Sequence, residues 1–244
     1  MKPVKRFGLI GKNIGYSLSP EIFRHIFRRE AVPYSYEIID TESSLLDEIL
    51  SEDWAGLNVT VPYKKTIIPL LDFLDESAQN TGAVNTVVFR DGKRIGYNTD
   101  IDGFEFLFSQ TSKPVRRRAL ILGSGASSNT VAYVLEKHGI PFTKVSRKPG
   151  PGMLTYTSLD RNIIGRHGFI INTTPLGGPN HKGQAPPIPY HWIGKRHTLI
   201  DLNYLPRPTG FLEMGLRFSP HAYDGFPMLV TQARMAWELW KASF

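Results

Sequence analysis

Residues 119–128 read Ala-Leu-Ile-Leu-Gly-Ser-Gly-Ala-Ser-Ser, and no other stretch narrows the choice of fold as much. Four apolar residues, enough for one short buried strand, run directly into two glycines one residue apart. A helical pattern follows over 128–138 and ends at Gly139, where glycine commonly closes a helix. A second apolar strand is expected over 143–146. Strand, glycine turn, helix and strand in that order make a βαβ unit, which calls for a parallel sheet with helices packed on it. In such a turn Gly123 permits the tight bend and Gly125 lets backbone N–H groups approach a pyrophosphate, which the helix N-terminus then faces. The pattern is GxGxxS, with Ser128 where Gly or Ala is usual. A plain glycine-rich turn is the alternative, and the strands on both sides favour the nucleotide-binding one.

The end of that second strand discriminates between cofactors. A dinucleotide-binding domain that takes NAD carries Asp or Glu there for the ribose 2′-hydroxyl. This chain has Ser146-Arg147-Lys148 instead. A guanidinium can pair with a 2′-phosphate through two charge-assisted hydrogen bonds, so NADP is expected over NAD. A solvated basic loop is the alternative.

Strands and helices alternate through the rest of the chain. Strands are expected over 7–10, 34–39, 56–61, 169–172 and 198–202. Ser19-Pro20 has the composition of an N-cap and first helical residue, and Phe23, Ile26 and Phe27 follow at helical spacing. A helix is expected over 64–71. Apolar runs at 83–89 and 94–98 flank Asp91-Gly92, a good hairpin turn. The last helix, over 227–242, presents Leu229, Ala233, Ala236, Trp237 and Trp240 as one apolar stripe. The pattern breaks near residue 102 and restarts at 119. We therefore expect a two-lobed α/β protein with mostly parallel sheets: an α/β substrate lobe of residues 1–101 plus 226–244, and a Rossmann lobe of 102–225.

Four polar clusters fall at predicted strand ends or helix starts: Ser17-x-Ser19-Pro20, Asn58-x-Thr60-x-Pro62-x-Lys64, Asn85-Thr86 and Asn98-Thr99-Asp100. In open α/β sheets that edge binds ligands. Neutral amides and hydroxyls suit a polyhydroxylated ligand. Lys64 and Asp100 suit proton transfer, since a carbonyl that receives hydride needs a proton on its oxygen. Taken singly, each cluster reads as a cap or a turn, and Lys64 beside Lys65 as a surface lysine; only together do they point to a site.

Taken in order, these clusters resemble the shikimate dehydrogenase family (shikimate/quinate 5-dehydrogenases). The resemblance also rests on Gly82-Ala-Val-Asn85, Gly123-x-Gly125, Asn172-Thr-Thr-Pro-x-Gly177, Asp201-x-x-Tyr204-x-Pro206 and Gly225-x-x-Met228-Leu-x-x-Gln232-Ala233, so it spans nearly the whole chain. It implies reversible reduction of 3-dehydroshikimate to shikimate with NADP(H), on the route to aromatic amino acids. It also implies Lys64 and Asp100 as the catalytic pair, and Ser17, Ser19, Thr60, Asn85 and Gln232 on the substrate, with Asn58 and Tyr204 nearby. Gly123, Gly125, Ser128, Ser146, Arg147 and Lys148 would hold the cofactor, and Asn172 and Thr173 would line its nicotinamide side. The C-terminal helix would complete the substrate lobe. Four positions depart from the family pattern: Asn13 for Pro, Tyr16 for His, Leu205 for Asn and Gly178 for Met.

Composition removes several other classes. The chain has no cysteine, which excludes disulfides and thiolate metal sites and suits the cytoplasm. None of its seven histidines is at metal-ligand spacing. The apolar run after the basic N-terminus is too short for a signal peptide or a membrane anchor. The net charge of +7 fits a solvated basic surface or attraction of anionic ligands. The positive residues are scattered, and the densest run, Arg116-Arg117-Arg118, precedes a strand, so neither a nucleic-acid partner nor a membrane is expected. The expected partner is the small-molecule substrate, and the expected assembly is a monomer or homodimer. Quinate or dual specificity, and a non-catalytic NADP-binding sensor, are the rival functions; an intact Lys64 and Asp100 argue against the sensor.

Overall fold

The computed structural model describes residues 4–114 and 117–243; Arg116 of the basic run lies outside them. The chain divides into two compact units, Met1–Gly103 with Leu229–Phe244, and Phe104–Met228. The fold is α/β, with a mixed sheet in the first unit and a fully parallel, Rossmann-like sheet in the second.

The first unit contains β1 (Arg6–Gly11), α1 (Ser19–Arg29), β2 (Ser35–Asp40), α2 (Leu46–Leu50), β3 (Gly56–Val59), β4 (Phe73–Leu74), α3 (Glu76–Thr81), β5 (Thr86–Arg90) and β6 (Lys93–Tyr97). Helix α4 (Asp100–Ser109) starts in it. The strand order is β2-β1-β3-β5-β6-β4. The β2-β1-β3 part and the β6-β4 edge are parallel, while β5 runs antiparallel to both of its neighbours. The antiparallel pair β5-β6 is the expected hairpin. Asp91 and Gly92 both take positive φ, +51° and +70°, the backbone of a tight turn that matches strand twist.

Alternation along each strand separates two cores. Ile10, Leu57 and Val87 face α2 and the segment with Tyr63 and Ile67. Phe7 and Val88 face α1 and the last helix, α8 (Phe226–Lys241). Trp240 is fully buried there, meets the Phe7 and Phe23 rings in tilted contacts at 4.8 and 5.2 Å, and donates its indole N–H to Val87 O at 3.0 Å. A Cβ on Gly56 would overlap that indole, so glycine is required for the C-terminal helix to dock on the sheet.

Two local expectations need correction. Residues 64–71 do not form an α-helix. They are turns closed by Ile68 N–H to Lys65 O (3.3 Å) and Leu70 N–H to Ile67 O (3.0 Å), ending in a short 3-10 helix, Ile68–Leu70. Pro69 supplies no N–H and disfavours α geometry at Ile68, and Thr66, Ile67 and Ile68 are β-branched. Ser19 is not the N-cap of α1 but its first residue. The N-cap is Leu18, which has no side-chain cap bond, and the Ser17 hydroxyl before it accepts the Ser19 N–H at 3.2 Å.

The second unit contains β7 (Ala119–Leu122), α5 (Ala126–Lys137), β8 (Phe142–Val145), α6 (Arg161–Arg166), β9 (Phe169–Asn172), β10 (Thr198–Asp201), α7 (Gly210–Gly215) and β11 (Ala222–Tyr223). All ladders of its five-stranded sheet, β11-β10-β9-β7-β8, are parallel. Strands β7, β9 and β10 are buried along their whole length, as expected of a sheet covered on both faces. Leu120, Ile170 and Leu199 meet Ile164 of α6 and Phe211 of α7 on one face. Phe108 of α4 packs on Phe169 at 5.1 Å on the other. No helix among the described residues is long and apolar enough to cross a membrane.

Candidate active site

Three of the four polar clusters of the first unit, those of Asn58 and Lys64, of Asn85 and Thr86, and of Asn98 to Asp100, converge on Asn85. This buried residue follows Val84, whose N–H donates to Lys64 O at 2.8 Å, and its own N–H donates to Tyr97 O at 3.0 Å. Asn85 Nδ2 lies 3.1 Å from Asp100 Oδ1, 3.0 Å from Thr99 Oγ1 and 3.3 Å from Gln232 Oε1. Asn85 Oδ1 accepts the Thr99 N–H at 2.7 Å and the Thr86 hydroxyl at 3.1 Å. Asn58 extends the network. Its amide donates to Asn85 O and Thr86 Oγ1, both at 3.1 Å, and accepts the Tyr36 hydroxyl at 2.8 Å. The Asn58 amide hydrogens are thus engaged within the protein, and Asn58 acts by holding its neighbours.

Lys64 and Asp100 meet as an ion pair between Nζ and Oδ2. Their side chains are only 12% and 8% exposed, so this pair is far from the usual solvent-screened surface bridge. Asp100 opens α4, where a carboxylate is favoured by the helix dipole. Its N–H is held by Asn98 Oδ1 at 3.2 Å, and Asn98 in turn donates to Thr81 Oγ1 at 2.7 Å. The carboxylate is therefore fixed by one backbone and one side-chain anchor, and the ammonium is fixed by the carboxylate. Ser17 and Ser19 share a hydroxyl contact of 3.2 Å at the start of α1. Thr60 is half-buried, and its hydroxyl has no hydrogen-bond partner among the described residues. Gln232 Nε2 donates to Leu229 O at 2.9 Å, which leaves its Oε1 toward Asn85.

In the second unit the glycine turn has the geometry its sequence requires. Gly123 takes φ +118°, and a Cβ there would lie 2.6 Å from Thr173 Oγ1. Thr173 reaches that point because its hydroxyl donates to Leu122 O at 2.8 Å. Gly125 caps α5, and a Cβ on it would meet no described atom within 4 Å. The turn thus leaves a cradle above the first N–H groups of a helix, which lack intrahelical partners and attract anions. Ser128 is fully buried, and its hydroxyl has no partner among the described residues. Ser146 bonds Ser124 Oγ at 3.0 Å and accepts the Lys148 N–H at 3.2 Å, which curls the chain after β8. Arg147 and Lys148 are exposed there, and among the described residues neither makes an ion pair. Glycine cradle, helix N-terminus and free cations fit a phosphorylated dinucleotide.

Comparison with known proteins settles the family. The profile of the shikimate dehydrogenase substrate binding domain matches residues 9–87. A shikimate dehydrogenase (NADP(+)) of Clostridium botulinum strain 657 is 36% identical over 246 residues, 96% of this chain and 95% of that protein. The chain belongs to the shikimate dehydrogenase family. The crystal structure of the Aquifex aeolicus shikimate dehydrogenase superposes with TM-score 0.89 at 30% identity, covering 99% of this chain and 94% of that one. The quinate dehydrogenase of Corynebacterium glutamicum, solved with NAD, superposes with TM-score 0.83 at 26% identity over 98% and 94%. As a member of this family the protein is an oxidoreductase.

Two departures from the shikimate dehydrogenase pattern have a structural reason. Asn13 takes φ +56° with its N–H on Asp40 Oδ1 at 2.9 Å; proline, locked near −65° and without an N–H, fits neither feature. Gly178 faces the Asn203 side chain, whose Oδ1 would lie 2.7 Å from a Cβ at 178. Tyr204 belongs to the second unit and is half-buried. Asn172 is fully buried and engaged on all sides: its amide donates to Leu176 O and Asp201 Oδ1 at 3.2 and 3.0 Å and accepts the Thr174 N–H at 3.0 Å. The sequence reading missed Tyr36, Asp201 and Asn203. Only Asp201 carried any signal, as the first residue of the Asp201-x-x-Tyr204-x-Pro206 motif.

Proposed function

We propose that this protein is an NADP-dependent shikimate dehydrogenase that reversibly reduces 3-dehydroshikimate to shikimate in the supply of aromatic amino acids. The buried Lys64–Asp100 pair carries this reading. A sensor has no need of an anchored ammonium next to a carboxylate, whereas a ketone reductase needs a proton donor at the carbonyl oxygen. NADPH, when bound, supplies the hydride. Lys64 Nζ gives its proton to the substrate oxygen in reduction and takes it back in oxidation. Asp100 aims the ammonium, and Asn85 holds Asp100. The hydroxyls of Ser17, Ser19 and Thr60 and the amides of Asn85 and Gln232 take the substrate's hydroxyls and carboxylate, with Asn58 and Tyr204 in support. Gly123, Gly125 and Ser128 shape the pyrophosphate turn, and Thr173 and Asn172 shape its nicotinamide side. Arg147 and Lys148, set by Ser146, take the 2′-phosphate. The name of the Clostridium botulinum relative supports both substrate and cofactor. The quinate dehydrogenase neighbour with NAD makes quinate the second reading.

Initial rates on shikimate and quinate, each with NADP and with NAD, test this assignment. The expected maximum is shikimate with NADP; a maximum on quinate or with NAD overturns the corresponding half. Arg147→Ala should weaken NADP by about 1.5–3 kcal/mol, the worth of a charge-assisted hydrogen bond, and leave NAD nearly unchanged. Equal losses for both cofactors would remove the 2′-phosphate role. Ser17→Ala should raise KM for shikimate roughly ten-fold, by one bond to a charged group, with KM for NADP unchanged. An unaltered shikimate KM would reduce Ser17 to its local bond with the Ser19 N–H.

A further inference from the structure

Two parallel strands, β9 and β10, end side by side with Asn172 opposite Asp201. The Asp201 carboxylate is fully buried and gathers three segments. Its Oδ1 accepts from Asn172 Nδ2 (3.0 Å), the Asn203 N–H (3.0 Å) and Asn203 Nδ2 (2.9 Å). Its Oδ2 accepts the hydroxyl of Thr209, the residue that caps α7. Asn203 then reaches across to the turn that follows β9. Its Nδ2 lies 2.9 Å from Thr174 O and 3.4 Å from Leu176 O. Its Oδ1 occupies the space beside Gly178 that any larger residue at 178 would take. The same turn begins at Thr173, which packs against Gly123 of the glycine turn. One amide therefore connects a buried carboxyl group to the turn bordering the cofactor cradle.

We propose that Asn203, clamped by Asp201 and admitted by Gly178, is a positioning residue that sets the 173–178 turn and with it the nicotinamide end of the cofactor. This rests on the proposed reading of the second unit as the cofactor-binding one. Asn203 acts through Thr174 and Leu176, whose carbonyl oxygens its amide meets. The backbone of Gly178 is extended, φ −80° and ψ −179°, so any residue can adopt it. What keeps 178 small is close contact rather than strain: a Cβ there would lie 2.7 Å from Asn203 Oδ1 and 3.1 Å from the Pro175 carbonyl oxygen. That ties the two positions together and makes their coupling measurable.

The test uses Asn203→Ala, Gly178→Ala and the double variant in the full-length protein. Hydrogen exchange of the 173–178 amides is followed alongside steady-state kinetics and binding of 2′,5′-ADP, which carries the phosphate end of the cofactor without the nicotinamide. Asn203→Ala should speed exchange over 173–178 and leave β7 and β9 protected. It should lower kcat about ten- to a hundred-fold, the scale of a misplaced reacting group, with shikimate KM and 2′,5′-ADP affinity within about two-fold. Gly178→Ala should act in the same direction and cost less in the Asn203→Ala background than alone, because the side chain it displaces is gone and only the Pro175 carbonyl oxygen still crowds it. The proposal is overturned by faster exchange with normal kcat, by normal exchange, by a parallel fall in 2′,5′-ADP affinity, or by additive effects of the two substitutions. A wild-type protein inactive on every substrate and cofactor pair would instead count against the proposed reaction. The exchange and 2′,5′-ADP measurements would still decide the clamp.

Discussion

Lys64→Met is expected to lower kcat by about 10²–10⁴-fold, the usual contribution of positioned proton transfer, with a much smaller change in substrate KM. Methionine keeps an unbranched apolar stem and removes the ammonium. The remaining carboxylate of Asp100 is 8% exposed and would lose its ion partner, so some loss of stability is also expected, because an uncompensated buried charge is costly. Asp100→Asn removes that charge and leaves Asn85 a neighbour it can still bond. It should lower kcat as well, by releasing the ammonium from its fixed direction. In the double variant the kinetic losses should be less than additive, since both residues serve one proton, and part of the lost stability should return. The measurements are single-turnover rates, where hydride transfer limits, across several pH values, together with unfolding curves for each variant. Near-normal kcat in Lys64→Met would remove the lysine from proton transfer and direct attention to Tyr204 or Asp100.

Asp201→Asn is expected to change how stability depends on pH. Burial pushes the Asp201 carboxyl up to about 7, outweighing the hydrogen bonds from Thr209, Asn203 and Asn172 that pull it down. Tyr190 also feels this carboxyl: burial and then Asp201 raise its hydroxyl. The folded state thus holds a proton that the unfolded chain, with an ordinary carboxylate near 4, releases earlier. Between about pH 4 and 7 the folded form binds more protons, so this group's contribution declines as pH rises and is flat above. A rise of about three pH units corresponds to a ceiling of about 4 kcal/mol. Asparagine has no such titration. Its Oδ1 can still accept from Asn172 and Asn203, and its Nδ2 faces the Thr209 hydroxyl. Relative to Asp201→Asn, the wild type should therefore lose stability between pH 5 and pH 8. Denaturant unfolding of both proteins at those pH values measures the difference, and a gap independent of pH would contradict it.

Local patterns accounted for much of this protein. The four apolar residues before Gly123, the helix closed by Gly139 and the Asp91-Gly92 turn depend on neighbours along the chain, and each is found where expected. The basic residues after β8 are likewise placed by a count along one βαβ unit. The order of several short motifs was enough to point to the family, although no single motif would have done so. The 64–71 segment failed because apolar spacing suggested a helix while Pro69 and the β-branched residues before it imposed turns.

What sequence could not supply depends on separation through space. Gln232 comes within 3.3 Å of Asn85 from 147 residues away because Trp240 docks α8 where Gly56 leaves room. Tyr36 on β2 supports Asn58 on β3 across the intervening strand β1. The Asp201 cluster forms because β9 and β10 pair in a register that sets Asn172 beside Asp201. Residue type and local order determined the elements, the glycine turn and the candidate chemistry. Tertiary packing alone decided which polar groups share a buried volume, because a hydrogen bond between distant residues leaves no periodicity in the chain and exists only once the strands have found their register.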